Sequence, residues 1–236
     1  MTFGIIGAME EEIIYIKSKM EILITREIIG TTVYAGKING QNVVLARCGI
    51  GKVNAAVCTQ MLIDLYNVDC VINTGVAGSM NSNVHLGDVV ISTKLVQHDF
   101  DATAFGDDEL GFIPRLGIKF FEADKNLCNI AFENANDVLA AKGAKAHKGI
   151  IATGDQFISD KSVKEKIGKE FSPLCVEMEG AAIAHACFLN NIPFIVIRAI
   201  SDNSDGDIKV YENYIEIAAK NSSSIVEKII ESYIGG

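Results

Sequence analysis

Carboxylates are the side chains in this sequence that most invite a chemical reading. Glu10, Glu11 and Glu12 open a helical stretch, Glu177 and Glu179 flank Met178 after a short apolar run, and Asp202 follows Ser201 at the end of another. Groups of this kind can bind hydroxyls and move protons, provided their surroundings keep one protonated while another is not. Acids in a first helical turn also serve the helix dipole, by about 0.3 to 1 kcal/mol each. Three in succession cannot all serve it equally, so one is expected to turn back across the top of the sheet; the spacing leaves open which. Period-two geometry puts Glu177 and Glu179 on the same side of a strand. Glu179 then runs into Gly180-Ala181-Ala182-Ile183-Ala184, which reads as a buried helix, where an acid is costly unless it binds something. Arg198 interrupts the apolar run from Pro193 to Ile200 and needs a partner, as a structural ion pair or as part of a reactive site. Asp202 could cap a turn through Asn203, Ser204, Asp205 and Gly206, but its place at a strand end beside Ser201 favours a ligand-facing role.

The elements that must carry these groups alternate between short β-branched runs and longer helical ones. Strands are expected at Thr2 to Ile6, Thr32 to Ile38, Gln41 to Arg47, Cys70 to Thr74, Asp88 to Leu95, Lys148 to Thr153, Leu174 to Val176 and Phe194 to Ile200. Helices are expected at Glu10 to Met20, Lys52 to Leu65, Lys125 to Lys142, Ser162 to Lys169, Gly180 to Asn190 and Tyr211 to Ser232. Asn39-Gly40 between two strands signals a type I′ hairpin, so the sheet is mixed. Alternation elsewhere implies crossovers and an α/β sheet covered by helices. Functional groups in such a sheet gather past the carboxyl ends of strands. Four junctions therefore stand out: Gly7 to Glu12, Thr74 to Gly78, Glu177 to Gly180, and Ser201-Asp202.

Composition narrows the possibilities. The 236 residues carry no low-complexity linker and read as a single domain spanning 1–236. Hydrophobic residues make up 49%, yet no run approaches the roughly 18 to 20 apolar residues of a membrane span. The start lacks a basic segment and a small-residue cleavage site, so the cytoplasm is the expected location and no membrane partner is expected. A net charge of −9 without clustered Lys and Arg argues against nucleic acid. The six cysteines form no Cys-x-x-Cys pair and the four histidines show no ligand spacing, so neither a metal nor a cofactor is expected.

The glycine loops are weak signals by themselves. Gly49-Ile50-Gly51-Lys52 lacks the Walker pattern, having Ala46 where the first glycine belongs and Val53 where Ser or Thr belongs. Asn54 breaks a dinucleotide fingerprint. A strand-to-helix turn accounts for most of what Gly49 and Gly51 require. Gly75 and Gly78 read equally as such a turn and as a place where backbone amides approach a ligand.

Taken in order, these segments resemble the 5′-methylthioadenosine/S-adenosylhomocysteine nucleosidases of the purine nucleoside phosphorylase superfamily. The resemblance runs through Gly4 to Glu12, Gly49 to Val53, Asn73-Thr74-Gly75 with Ala77-Gly78, and Thr103 to Gly106. It continues through Gly154-Asp155, Phe157-Ile158, Val176 to Glu179 and Arg198 to Asp202. It implies a phosphorylase/hydrolase-like three-layer sandwich, a central mixed β-sheet flanked by about six helices. It also implies hydrolysis of the N-glycosidic bond of 5′-substituted adenosines, in methionine salvage and recycling of S-adenosylmethionine by-products.

By the same resemblance Asp202 is the general acid at purine N7, oriented by Ser201, and Glu12 the base that deprotonates the attacking water. Glu179 holds the ribose hydroxyls, with Met178 packing and Glu177 beside them, while Phe157 and Ile158 receive the adenine. Arg198 fixes Glu12 and its water. Met9, Ile50, Phe105 and Tyr211 are candidates for the 5′ pocket, and Val76, Ala77 and Gly78 supply backbone near the ribose. In the family the 5′ pocket is completed across a homodimer interface, so Ala102 to Pro114 is expected to reach a neighbour. Val76 stands where many relatives have Ser, which removes a hydroxyl and leaves the backbone. Asp107 to Ile113 and Asn203 to Lys209 depart from the family pattern.

Two alternatives share the fold. A phosphorylase would need cations around a phosphate dianion, whereas the first loop offers Glu10, Glu11 and Glu12. A nucleoside-binding protein without activity would be free to lose an acid or base, and Glu12, Glu179 and Asp202 are all present.

Overall fold

Strand β5 (Cys70–Ser79) is made of apolar and small residues and is buried along almost its whole length, which marks it as a central strand covered on both faces. The computed structural model that contains it describes residues 1–106, 109–204 and 208–233. The chain runs β1 (Thr2–Gly7), α1 (Glu10–Lys19), β2 (Glu21–Ile28), β3 (Thr31–Ile38), β4 (Gln41–Arg47), α2 (Lys52–Tyr66), β5, β6 (Val89–Gln97) and a 3-10 turn at Thr103–Phe105. It continues β7 (Phe121–Glu122), α3 (Lys125–Ala140), β8 (Ala146–Thr153), α4 (Lys161–Phe171), β9 (Cys175–Glu177), α5 (Gly180–Asn190), β10 (Phe194–Asp202) and α6 (Ile208–Ser232).

The strands join in one mixed sheet. On one side of β5 the parallel neighbour β1 begins an arm that continues through β4, β3 and β2. On the other side the sheet closes on itself: β5 pairs with β10, β10 with β6, β6 with β8, β8 with β9, and β9 returns to β5 through Gly78 and Ser79. Helices α1, α3 and α6 pack together over one face and α2 and α5 over the other, giving the three-layer arrangement. Fully buried aliphatic side chains of β1, β5 and β10, among them Ile5, Ile72 and Ile197, fill the core with Ile225 and Ile229 of α6. All six cysteines are free and buried.

Local chemistry explains several element ends. Asp124 caps α3 by accepting from Leu127 N–H, and Asp160 caps α4 by accepting from Ser162 and Val163 N–H. Asn39 and Gly40 both adopt positive φ, as a two-residue type I′ hairpin requires. The hairpin joining β2 to β3 uses Ile29 and Gly30 in the same conformation. A β-branched residue there is uncommon, and β2 is an edge strand exposed along most of its length without apolar alternation, so neither carries a sequence signal.

Two expected boundaries need correction. The central strand does not stop at Thr74 but continues to Ser79, so Gly75 and Gly78 lie inside it rather than in a turn. The last strand likewise runs past Ile200 to Asp202, with a register shift between those residues. Gly75 and Gly78 in β5 leave space for the side chains described next.

Candidate active site

The helix α1 starts directly after β1, and its burial pattern turns Glu12, Ile13 and Ile16 inward. Glu12 is therefore the acid that points back: it is 2% exposed, whereas Glu11 faces outward and Glu10 is half-buried. Ala8 N–H (2.6 Å) and Met9 N–H (3.1 Å) donate to its Oε2, and Val76 N–H (3.0 Å) donates to its Oε1. Burial pushes its carboxyl above the usual range, against the opposing pull of Arg198 and the three amides.

Arg198, entirely buried in β10, meets Glu12 from the opposite side. Its Nη2 donates to Asn73 Oδ1 (2.6 Å) and to Glu177 Oε2, and its Nε donates to the same carboxylate oxygen (3.1 Å). Nη1 has no hydrogen-bond partner among the described residues. A Cβ added at Gly75 would lie 2.5 Å from Glu12 Oε1 and would overlap Arg198 Nη1. Glycine at 75 is thus what lets the carboxylate and the guanidinium approach one another. Burial opposes the arginine's charge, but the carboxylates of Glu177, Glu179 and Glu12 more than offset this and raise its pKa.

Glu177 is committed to the protein. Its Oε2 also accepts from Glu179 N–H (3.0 Å) and Gly180 N–H (2.7 Å) at the start of α5, and its Oε1 accepts from Thr153 Oγ1. It forms part of the cavity wall, yet its bonds anchor Arg198 and the α5 terminus. Glu179 sits at the N-cap of α5, its Oε1 accepting from Gly51 N–H (2.9 Å) and its Oε2 lying 3.5 Å from Arg198 Nη2. Burial, reinforced by the neighbouring Glu177 charge, pushes it up to about 7.

Asp202 closes the circle at the end of β10. Ser201 Oγ donates to its Oδ2 (3.0 Å) and Ser204 N–H to its Oδ1 (2.7 Å). Glu12, Glu179, Ser201 and Asp202 thereby line one cavity of about 180 Å³. Val76, Ala77, Gly78 and Met178 complete its walls, with Met9, Ile50, Phe157 and Tyr211 at its apolar side. Phe157 meets Tyr211 edge to face at 5.9 Å, and Tyr211 Oη donates to Met9 Sδ (3.7 Å). Burial, with Glu12 nearby, raises the Tyr211 hydroxyl to about 12. Ile158 lines a smaller recess of about 40 Å³ that shares Phe157 and Asp202 with the first.

Phe105 is the expected site residue that the fold does not bring in; it is 89% exposed on the Thr103–Phe105 turn. Of the stretches that depart from the family pattern, 107–108 and 205–207 lie outside the described residues. Asn73, Thr153 and Gly51, which hold Arg198, Glu177 and Glu179, were not among the expected residues. Asn73 carried the same signal as Arg198, a polar side chain in an apolar strand; the Gly51 amide carried none. Among the described residues no group of three or more His, Cys, Asp or Glu side chains is placed to hold a metal.

Residues 2–231 match the Phosphorylase superfamily. A 5′-methylthioadenosine/S-adenosylhomocysteine nucleosidase of Halalkalibacterium halodurans is 42% identical over 229 residues, covering 96% of each chain. The chain belongs to this nucleosidase family. Among solved structures, the Neisseria meningitidis nucleosidase in complex with methylthio-immucillin-A superposes with a TM-score of 0.92 at 38% identity, over 98% of this chain and 99% of that one. The futalosine hydrolase of Helicobacter pylori superposes at 0.90 with 32% identity, over 98% of both.

Proposed function

We propose that Glu12 and Asp202 perform the hydrolysis of the N-glycosidic bond of 5′-methylthioadenosine, S-adenosylhomocysteine and related 5′-substituted adenosines. The enzyme is a hydrolase that releases adenine and the 5′-thio-ribose, in methionine salvage and S-adenosylmethionine by-product recycling. The observation that carries the assignment of residues is the placement of two buried carboxylates in one cavity, one fixed by three amides and the other by Ser201 and Ser204.

Adenine is a poor leaving group as an anion. Asp202 gives a proton to N7 as the bond between C1′ and N9 breaks, and the electron pair leaves with a neutral base. The ribose becomes oxocarbenium-like, water attacks C1′, and its proton passes to Glu12. The raised pKa of Glu12 suits a base that works near neutral pH. Glu179 holds the ribose hydroxyls, while Arg198 Nη1, without a partner among the described residues and beside Glu12, helps hold the water. Phe157 and Ile158 receive the base, and Met9, Ile50 and Tyr211 receive the 5′ substituent.

Phosphorolysis fits poorly. Arg198, the guanidinium beside the main cavity, already has its charge matched by Glu177, Glu179 and Glu12. No Lys or Arg is among the described lining residues, whereas Glu12, Glu177, Glu179 and Asp202 are, an arrangement that repels a phosphate dianion.

Phe105 supports a homodimer in which each protomer completes the other's 5′ pocket. Its ring is bare in the single chain, and α2 and α5 likewise expose Val53, Val57, Leu65, Phe188 and Leu189. No helix among the described residues is long and apolar enough to cross a membrane. Six buried free thiols support the cytoplasm as the compartment.

The deciding experiment incubates purified protein with 5′-methylthioadenosine, with and without phosphate, and identifies base and sugar by chromatography. Adenine with free methylthioribose in the absence of phosphate is the expected result. Glu12→Gln and Asp202→Asn are each expected to lower kcat by about 10² to 10⁴. Sugar 1-phosphate formed only with phosphate would overturn the assignment of water as nucleophile. Full activity in either variant would overturn the assignment of that residue.

A further inference from the structure

Ser204 is 1% exposed, and its Oγ has no hydrogen-bond partner among the described residues. A buried hydroxyl left in this way is costly unless something meets it. It lines the smaller recess together with Gln156, Phe157, Ile158 and Asp202. Gly78 is what admits it: a Cβ at that position would overlap Ser204 Oγ and stand 2.8 Å from Asp202 Oδ1. The hydroxyl and the carboxylate therefore share the space beside one glycine. The backbone of Ser204 is committed as well, its N–H donating to Asp202 Oδ1 (2.7 Å) while its φ of 51° lies in the left-handed region. Glycine would be easier there than serine, so the conformation does not explain the side chain.

The chemistry of the purine supplies a partner. N7 is flanked by the exocyclic group on C6 and by C8–H, and of the two only the C6 amino group offers the hydrogen bond that a buried hydroxyl beside the N7 acid lacks. We propose that the Ser204 hydroxyl is a base-recognition group that accepts a hydrogen bond from the 6-amino group of adenine. This rests on the reading of Asp202 as the acid at N7. Ser204 thus ties two tasks to one residue: its amide positions the acid and its side chain reads the base.

The test compares 5′-methylthioadenosine with its 6-deamino analogue, the 5′-methylthio riboside of purine, in the wild type, Ser204→Ala and Ser204→Gly. The Ser204→Gly variant keeps the amide and suits the backbone, so it guards against a folding defect in Ser204→Ala. The expected result is a fall of about tenfold in kcat/KM for the 6-amino substrate and less than about twofold for the 6-H analogue, in both variants. A merely structural role would move both substrates equally, and that outcome, or no change in either, would overturn the proposal while leaving the hydrolase intact. A wild type that releases base from neither compound would instead overturn the reading of the site itself.

Discussion

Gly75→Ala places a methyl group between the two most important charges of the site. The residue's φ lies outside the left-handed region, so alanine fits the strand without backbone strain. Its Cβ, however, would stand 2.5 Å from Glu12 Oε1 and would overlap Arg198 Nη1. Ordinary contact needs about 3.5 Å, so one or both side chains must retreat by about 1 Å. Neither has an easy path, since Glu12 is tied to Ala8, Met9 and Val76 and Arg198 to Asn73 and Glu177. A misplacement of that size costs about 10²-fold in rate, and overpacking a buried site costs about 1 to 3 kcal/mol of stability. For a chain of this length that corresponds to a fall in Tm of about 2 to 12 °C. Initial rates of adenine release give kcat and KM, and scanning calorimetry gives Tm. A folded Gly75→Ala protein with kcat within about threefold of wild type would refute the reasoning, as would a rise in KM alone, because in the proposed mechanism the displaced groups act on the reacting centre.

Other expectations follow from the same geometry. Glu12 and Glu179 titrate above the ordinary range in the folded protein because burial disfavours their charge. Their contribution to stability is therefore complete below the unfolded value of about 4.3 and is lost as pH rises through the folded value, about 7 for Glu179. Glu179→Gln is expected to flatten the decline of Tm across that window, and a curve parallel to wild type would contradict the assignment. Phe105→Ala is expected to raise KM for 5′-methylthioadenosine by about tenfold with kcat little changed; sedimentation of wild type and variant tests the proposed dimer in both, and an unchanged KM would remove Phe105 from the neighbour's pocket. Gly168→Ala, in the interior of α4 where an added Cβ meets nothing within 4 Å, is expected to raise stability by about 0.5 to 1 kcal/mol without touching rate. Denaturant titration measures it, and a loss of stability would show that the helix surface there is occupied.

The alternation of strands and helices could be read because each element buries a face of its own periodicity, and all six α-helices were expected close to their observed limits. What escaped depends on distant partners. The ring closed by β9 returning to β5 rests on pairing between residues about a hundred positions apart, which leaves no mark on local pattern. Strand β2 carries little apolar alternation because it sits at an edge. The continuation of β5 through Gly75 and Gly78 was hidden because the same residues suit a turn. In the site, carboxylates in apolar surroundings were conspicuous, but the choice of Glu12 over Glu10 and Glu11 was made by the amides of Ala8, Met9 and Val76. Ser204 had looked like one more turn-forming residue, since burial is what makes its hydroxyl notable.

The six buried thiols give the molecule a built-in gauge of its own opening. Each is buried and each is held above the usual thiol range by that burial, so alkylating reagents, which attack the thiolate, find little to react with while the chain is closed. Three lie in helices that pack on the sheet, α2, α3 and α5, and three in or just beyond its strands β4, β5 and β9. The order in which they become labelled under native conditions would therefore trace which segments come loose first, without any reporter residue being engineered into the chain.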